Sequence, residues 1–143
     1  MKKVIGMRNS RTEAFKIVKA SFAVDNLVVD NKGLQAINDY VTGSKTFEQA
    51  RNTLVDFYEM FFEDALHYYL TEEDFYDDPF CDENGVLINN LGISNTKDLN
   101  EAEKALSALQ NTRLQENISV FLGNFDLQHL QNIHHQLFMD VYP

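Results

Sequence analysis

A capping box at residues 46–49, followed by a long helical rhythm, limits the fold of this chain more than any other feature. In Thr46-Phe47-Glu48-Gln49 the threonine side chain can accept a hydrogen bond from the Gln49 amide, and the glutamine side chain can reach back. Apolar residues then recur about every four positions, at Ala50, Leu54, Phe57, Phe61, Ala65 and Tyr69. Because no glycine or proline interrupts the stretch before Pro79, we predict a long helix.

Two further helices are predicted before this one. The run Arg11–Asn26 has a helical pattern, and Ser10 or Thr12 can cap its start. A second helix, capped by Asp30 or Asn31, ends at Gly43, since glycine adopts the left-handed turn most easily. Its apolar positions are spaced by three and four residues, at Leu34, Ile37 and Val41.

The second half of the chain predicts a turn and then two more helices. Asp82-Glu83-Asn84-Gly85 is typical of a turn, and the apolar residues 86–88 that follow favour a small β-hairpin or turn near 82–93. Asn95 begins a helix with an apolar face at Leu99, Ala102, Leu106 and Leu109. Residues 124–126 begin the last helix, with an apolar side at Leu127, Leu130, Ile133, His134, Leu137, Phe138 and Val141. The predicted fold class is therefore mainly α.

The formal net charge of −10 is divided unevenly. Residues 1–58 hold nine Lys/Arg and six Asp/Glu, whereas residues 59–143 hold three Lys/Arg and sixteen Asp/Glu. Such a division suggests two units with different partners. The acidic half would repel phosphate, and the basic half is too weakly positive to predict nucleic-acid binding, so a DNA-binding regulator is the weakest alternative.

Cysteine usage and hydropathy point to a cytoplasmic protein. Cys81 is the single cysteine, so no internal disulfide can form, as in a reducing compartment. No run approaches the roughly 18 apolar residues of a membrane span. The start, residues 1–11, has basic residues but no apolar core after them, so no secretory signal is predicted.

No metal centre or catalytic constellation is predicted from the spacing of reactive residues. Adjacent His134 and His135 point about 100° apart on a helix, and His129 lies five and six positions away. We therefore expect a packed His134 with exposed His129 and His135. Glu63 and His67 are four apart, but two ligands do not make a site. No serine or cysteine lies in a nucleophile motif, and no glycine-rich phosphate loop is present.

A short polar stretch at the end of the first helix, Ser21-Phe22-Ala23-Val24-Asp25-Asn26, is the most informative functional candidate. Ser21 and Asp25 are four apart and share one helix face, close to apolar Ala14, Ile17 and Val18. A hydroxyl and a carboxylate at the end of an apolar stripe are costly to bury unless another group satisfies them. Two interpretations follow: a solvated helix end, or a face that is inserted into another protein.

Residues 78–143 resemble the amino-terminal part of Fic-domain proteins. The pattern F-D-x-x-H-L-x-x-I-H-x-x-L-F-x-D-V-Y runs from Phe125 to Tyr142, after D-E-N-G-V-L at 82–87 and N-L-G-I at 90–93. The resemblance implies a nucleotidyltransferase that moves AMP from ATP, with magnesium, onto a hydroxyl of a target protein. The catalytic motif of the family, H-P-F-x-[DE]-G-N-G-R, is absent, so the resemblance implies no catalytic residue in this chain.

Residues 1–58 resemble the small antitoxins of the VbhA type, which silence Fic enzymes. Their inhibitory pattern [ST]-x-x-x-E-[GN] corresponds to Ser21, Asp25 and Asn26, with aspartate in place of glutamate. In that family the acidic residue pairs with a catalytic-loop arginine that otherwise holds the γ-phosphate of ATP. The resemblance implies the same role for Asp25, a seating role for Ser21, and an inhibitory helix at about 11–26. Because aspartate is one methylene shorter, looser inhibition is expected.

Three segments are predicted from these resemblances. Residues 1–58 form the antitoxin-like unit, 59–83 an acidic, aromatic helix extension and crossover, and 84–143 the amino-terminal part of a Fic domain. The function expected is an autoinhibitory module fused to the start of an adenylyltransferase; the alternative is a free-standing module that inhibits a separate Fic protein. Ending at Tyr142-Pro143 without a polar tail is expected of a cut domain, whose exposed last helix would favour association between copies.

Overall fold

The computed structural model describes residues 10–60 and 79–143, and it confirms the predicted mainly α fold. The described residues form five α-helices and a short 3-10 helix, with no β-sheet. In chain order these are α1 (Arg11–Val24), α2 (Asn31–Thr42), α3 (Phe47–Met60), α4 (Thr96–Glu116), the 3-10 helix (Ile118–Phe121) and α5 (Leu127–Phe138).

Side-chain caps begin these helices where the sequence predicts them. The capping box is confirmed: the Thr46 amide donates to Gln49 Oε1 at 2.9 Å, and the Gln49 amide donates to Thr46 Oγ1 at 3.2 Å. Each of the other four α-helices begins at a side chain that accepts a hydrogen bond from the backbone amide three residues later. These N-caps are Ser10, Asp30, Asn95 and Asp126. The predicted continuation of α3 beyond residue 60 and the crossover from 71 to 78 lie outside the described residues.

The turn predicted at residues 82–85 is also confirmed. The Gly85 amide donates to the Asp82 carbonyl at 3.0 Å, and Gly85 adopts a φ of +72°. The strand character around it is limited to one antiparallel bridge between Cys81 and Leu87. The arrangement is therefore a tight turn rather than an extended hairpin.

Helix α4 lies at the centre of the core. Its predicted apolar face is buried, and helices α1, α2 and α3 all pack against it. Gly33 permits the close approach of α2, because a Cβ atom there would come within 2.7 Å of the Ala105 Cβ. The shared core combines both predicted halves of the chain, as shown by Val18, Ile37, Leu54, Leu106 and Leu109.

Helix α5 is shorter than predicted, and its apolar side is incompletely covered. None of its residues is buried, and Leu127 and Leu130, predicted on its apolar side, are largely exposed. Val141 lies beyond the helix end, and it is fully buried. Within the described ranges, no helix combines the length and the apolar character needed to cross a membrane.

Candidate functional site at the end of helix α1

The buried face of α1 continues into an exposed polar end. Ala14 and Val18 are almost completely buried, and Ser21 and Asp25 follow them on the same face at helical spacing. Both polar residues are exposed. Ile17, which the sequence places near this face, is itself 44% exposed. The last turn of α1 therefore presents to solvent the face that the first turns bury. We call residues 21–28 the α1 tip.

The backbone at the α1 tip forms a Schellman motif. The helix ends at Val24, two residues earlier than predicted, and Asp25 is its C-cap. The Asn26 amide donates to the Ala23 carbonyl at 3.3 Å, and the Leu27 amide donates to the Phe22 carbonyl at 2.9 Å. Asn26 has a φ of +54°, the left-handed conformation that asparagine tolerates better than most residues. Asn26 thus fixes where the helix stops, which leaves Asp25 at its end.

Asp25 lies in an unfavourable electrostatic position. A helix carries partial negative charge at its C-terminus, so a carboxylate there is destabilising, by about 0.3–1 kcal/mol at an exposed end. The last turn of α1 contains no basic residue. Neither the Asp25 nor the Ser21 side chain forms a hydrogen bond or ion pair with another described residue. A cation supplied by a partner would relieve this repulsion.

Asp25 has exposed apolar neighbours along the chain. Val24 is 81% exposed and Val28 is 72% exposed. Phe22 and Leu27 also line a cleft of about 390 Å³, whose other lining residues include apolar Leu137 and Phe138 and charged Glu103 and Lys104. Apolar groups beside a charge can exclude water from an ion pair. A guanidinium matches a carboxylate through two parallel hydrogen bonds. The α1 tip is therefore suited to bind an arginine.

The opposite end of α1 is firmly held. The Ser10 side chain accepts from the Glu13 amide, and Arg11 Nη1 donates to the Tyr40 carbonyl at 2.9 Å. The Arg11 guanidinium also lies 4.3 Å from the centre of the Tyr40 ring and beside Glu116. Burial, together with the hydrogen bond to Glu116, raises the pKa of Tyr40 to about 12. These contacts fix the start of α1 to α2 and α4.

Two of the three histidines of α5 differ from the prediction. His134 is exposed, with its ring 4.8 Å from the Phe138 ring. His129 is partly buried: its Nδ1 accepts from the Phe125 amide, and its Nε2 is buried without a partner among the described residues. His135 is exposed as expected. In the part of the chain that the structure describes, no three His, Cys, Asp or Glu side chains are grouped to hold a metal ion.

A partly buried ion pair between Arg51 and Asp140 was not predicted from the sequence. Arg51 Nε lies 2.5 Å from Asp140 Oδ1, and Gln110 Nε2 donates to Asp140 Oδ2 at 2.7 Å. The two charged residues are 89 positions apart. No local spacing indicates such a pair; an acidic residue in an otherwise apolar run before Val141 is the one available signal.

Part of this chain is similar to a known enzyme. It is 42% identical over 67 residues to protein adenylyltransferase VbhT of Bartonella schoenbuchensis, and the match covers 46% of this chain and 13% of that protein. No family model matches the chain, and no solved structure does. The chain is thus related in part to a Fic-type adenylyltransferase, of which it spans a small fraction.

Proposed function

We propose that α1–α3 form an inhibitory, antitoxin-like module for a Fic-type protein adenylyltransferase, and that the α1 tip enters the catalytic core. The observation that carries this proposal is Asp25, an exposed carboxylate at the negative end of α1 whose side chain has no partner among the described residues. The partial similarity to VbhT supports the class of enzyme. The proposed partner is the catalytic core of the same full-length chain, and the proposed setting is the cytoplasm, without nucleic acid or membrane.

Inhibition would result from competition for one arginine. In the proposed complex, Asp25 pairs with a catalytic-loop arginine that otherwise holds the γ-phosphate of ATP. With that arginine occupied, ATP cannot take the orientation required for transfer of AMP to a protein hydroxyl. Ser21, one turn earlier on the same face, donates a hydrogen bond that seats the helix. ATP and magnesium would be bound by the catalytic core, and this chain contributes the carboxylate.

The aspartate sets the strength of the proposed inhibition. It places its carboxylate one methylene closer to the backbone than glutamate does, so the pair with arginine is expected to be looser. Two features of the tip offset this difference. The helix ends directly at Asp25, and exposed Val24 and Val28 on either side can exclude water from the pair.

Packing of the module favours inhibition within one chain over inhibition of a separate protein. Helices α1–α3 share their core with α4, so they are already joined to residues 84–143. A covalent link then supplies a high effective concentration, on the order of millimolar for short linkers. The alternative, a free-standing module acting in trans, predicts a stop codon after residue 143. The fused enzyme predicts W-A-G and then H-P-F-x-[DE]-G-N-G-R.

Adenylylation assays with labelled ATP and magnesium test the proposal. Inhibition within one chain is tested with the protein produced from the full reading frame. Inhibition of a separate protein is tested by mixing this chain with VbhT. Asp25→Ala is expected to raise the rate about 10- to 100-fold, the equivalent of a charge-assisted hydrogen bond. Asp25→Glu is expected to lower it below wild type.

Glu13→Ala is the matched control, since Glu13 is an exposed acid on the first turn of the same helix. It should leave the rate unchanged. If Asp25→Ala does not raise the rate in either format, the assignment of the α1 tip as the inhibitory element is wrong.

A further inference from the structure

The Arg51–Asp140 pair joins the inhibitory module to the segment that follows α5. Asp140 is buried, and each of its carboxylate oxygens has a partner: Arg51 from α3 and Gln110 from α4. Gln110 is buried as well. A buried carboxylate with both oxygens engaged by donors from two helices is held in one orientation.

Other contacts hold the same segment, residues 139–143. The Asn90 amide donates to the Val141 carbonyl at 2.7 Å, and the Asn90 side chain donates to the Tyr142 carbonyl at 3.0 Å. The Tyr142 hydroxyl donates to Glu103 on α4, and Val141 is fully buried. These contacts come from the loop before α4 and from α4 itself. Arg51 adds an anchor from the module of α1–α3.

Helix α3, which carries Arg51, contacts α2 and shares a core with α1, the helix that ends in the α1 tip. The Tyr58 hydroxyl donates to Asp30, the N-cap of α2, at 2.7 Å. Leu54 of α3 lies in the same core as Val18 of α1. Helix α1 packs on α2 and α4, and both of these pack on α3, so a packed path runs from α1 through α2 and α4 to Arg51 and Asp140. Packing alone is non-directional, whereas an arginine–carboxylate pair fixes register.

We propose that Arg51 is a positioning residue for inhibition: through Asp140 it sets the location of residues 139–143 relative to the α1 tip. This inference rests on the proposed function of Asp25. It adds a second requirement, because the carboxylate must be present and the module that carries it must be held in register with the segment after α5.

Amide hydrogen exchange on the 143-residue chain tests the link directly. The Asn90 amide reports on residues 139–143, since it donates to Val141, and the Val18 amide reports on the core of α1 and α4. The double variant Arg51→Met/Asp140→Asn removes both charges together, so no unpaired buried charge remains. We expect exchange at Asn90 to rise about tenfold or more, with little change at Val18.

A purely structural role would accelerate exchange at both amides equally. That result, or wild-type exchange at Asn90 in the double variant, overturns the inference. The single variant Arg51→Met should give a larger rise at Asn90 than the double variant, because it leaves the Asp140 carboxylate buried beside Gln110 alone.

Adenylylation by the full-length protein separates this inference from the proposed function. The double variant should raise the rate by part of the increase caused by Asp25→Ala. If Asp25→Ala raises the rate and the double variant does not, positioning by Arg51 is wrong. If Asp25→Ala has no effect, the proposed function is wrong, and exchange at Asn90 still decides whether Arg51 holds the segment.

Discussion

The two ends of α1 differ in whether their polar and charged side chains find partners within the described fold. At the start, Ser10 caps the helix, Glu13 lies at the positive end of the dipole, and Arg11 is bound by α2 and α4. At the tip, Asp25 lies at the negative end without a described partner, and Val24 is left in solvent. The side chains at the start of α1 are therefore paired within the fold, whereas the charged side chain at its tip is not.

This difference indicates which residues serve the fold and which serve a partner. Local preferences and packing agree at the start of α1, as in a sequence selected for stability. At the tip they conflict, and conflicts of this kind are expected at functional sites. The conflict would be removed if an arginine paired with Asp25 and a partner surface covered Val24 and Val28.

The largest expected effect comes from one substitution made in the buried middle of α1 and again at its exposed tip. Val18→Thr places a hydroxyl in the core, and it should lower the free energy of unfolding by about 1–3 kcal/mol. Val24→Thr makes the same change at an exposed position, and it should have almost no effect. Urea denaturation of both variants measures the difference. Equal losses would show that Val24 at the tip is packed as firmly as Val18 in the middle of the helix.

The Schellman motif predicts an effect of backbone conformation at Asn26. Asn26→Ala places an ordinary side chain in the left-handed conformation, and it should cost about 1–2 kcal/mol. Asn26→Gly is the control, since glycine accepts this conformation without strain and should be neutral or slightly stabilising. Thermal or urea unfolding measures both. If alanine and glycine behave alike, the tip does not end in this motif in solution.

Two serines near opposite ends of α1 provide a smaller contrast. Ser10→Ala removes the N-cap hydrogen bond to the Glu13 amide, and it should cost about 1 kcal/mol. Ser21→Ala removes no described hydrogen bond and improves helix propensity, so stability should stay equal or rise by a few tenths of a kcal/mol. Helix content and unfolding midpoints report both changes. A clear loss with Ser21→Ala would indicate a structural role for that hydroxyl.

The smallest expected effects are two changes in stability of opposite sign. Asp25→Asn should stabilise the isolated chain by about 0.3–1 kcal/mol, because it removes a negative charge from the C-terminus of the helix. Glu13→Gln should destabilise it by a similar amount, because Glu13 lies in the first turn and pairs with Lys16 at 2.9 Å. Both effects should shrink in high salt. Two shifts of the same sign would contradict the electrostatic contrast between the ends.

The sequence is sufficient for features that depend on near neighbours. The capping box at Thr46, the cap at Asn95, the turn at Asn84-Gly85 and the apolar face of α4 are all found where local patterns predict them. Each depends on residues a few positions apart, so the pattern contains the information needed.

Features that depend on distant neighbours were not predictable. An amphipathic pattern shows which side of α5 is apolar, but it does not show whether another element covers that side. For this reason His134 was expected to be packed and is exposed. The Arg51–Asp140 pair joins residues 89 positions apart, and it follows from the tertiary packing of α3 on α4.

The charge of Asp25 is the centre of this account, and Asp25→Asn tests it most directly, because the two side chains have nearly the same shape. The measurement is the adenylylation rate of the full-length protein with labelled ATP and magnesium. We predict a rise of about 10-fold or more for Asp25→Asn, in a variant at least as stable as wild type. An unchanged rate in a folded Asp25→Asn protein would contradict the account, since the carboxylate would then have no part in inhibition.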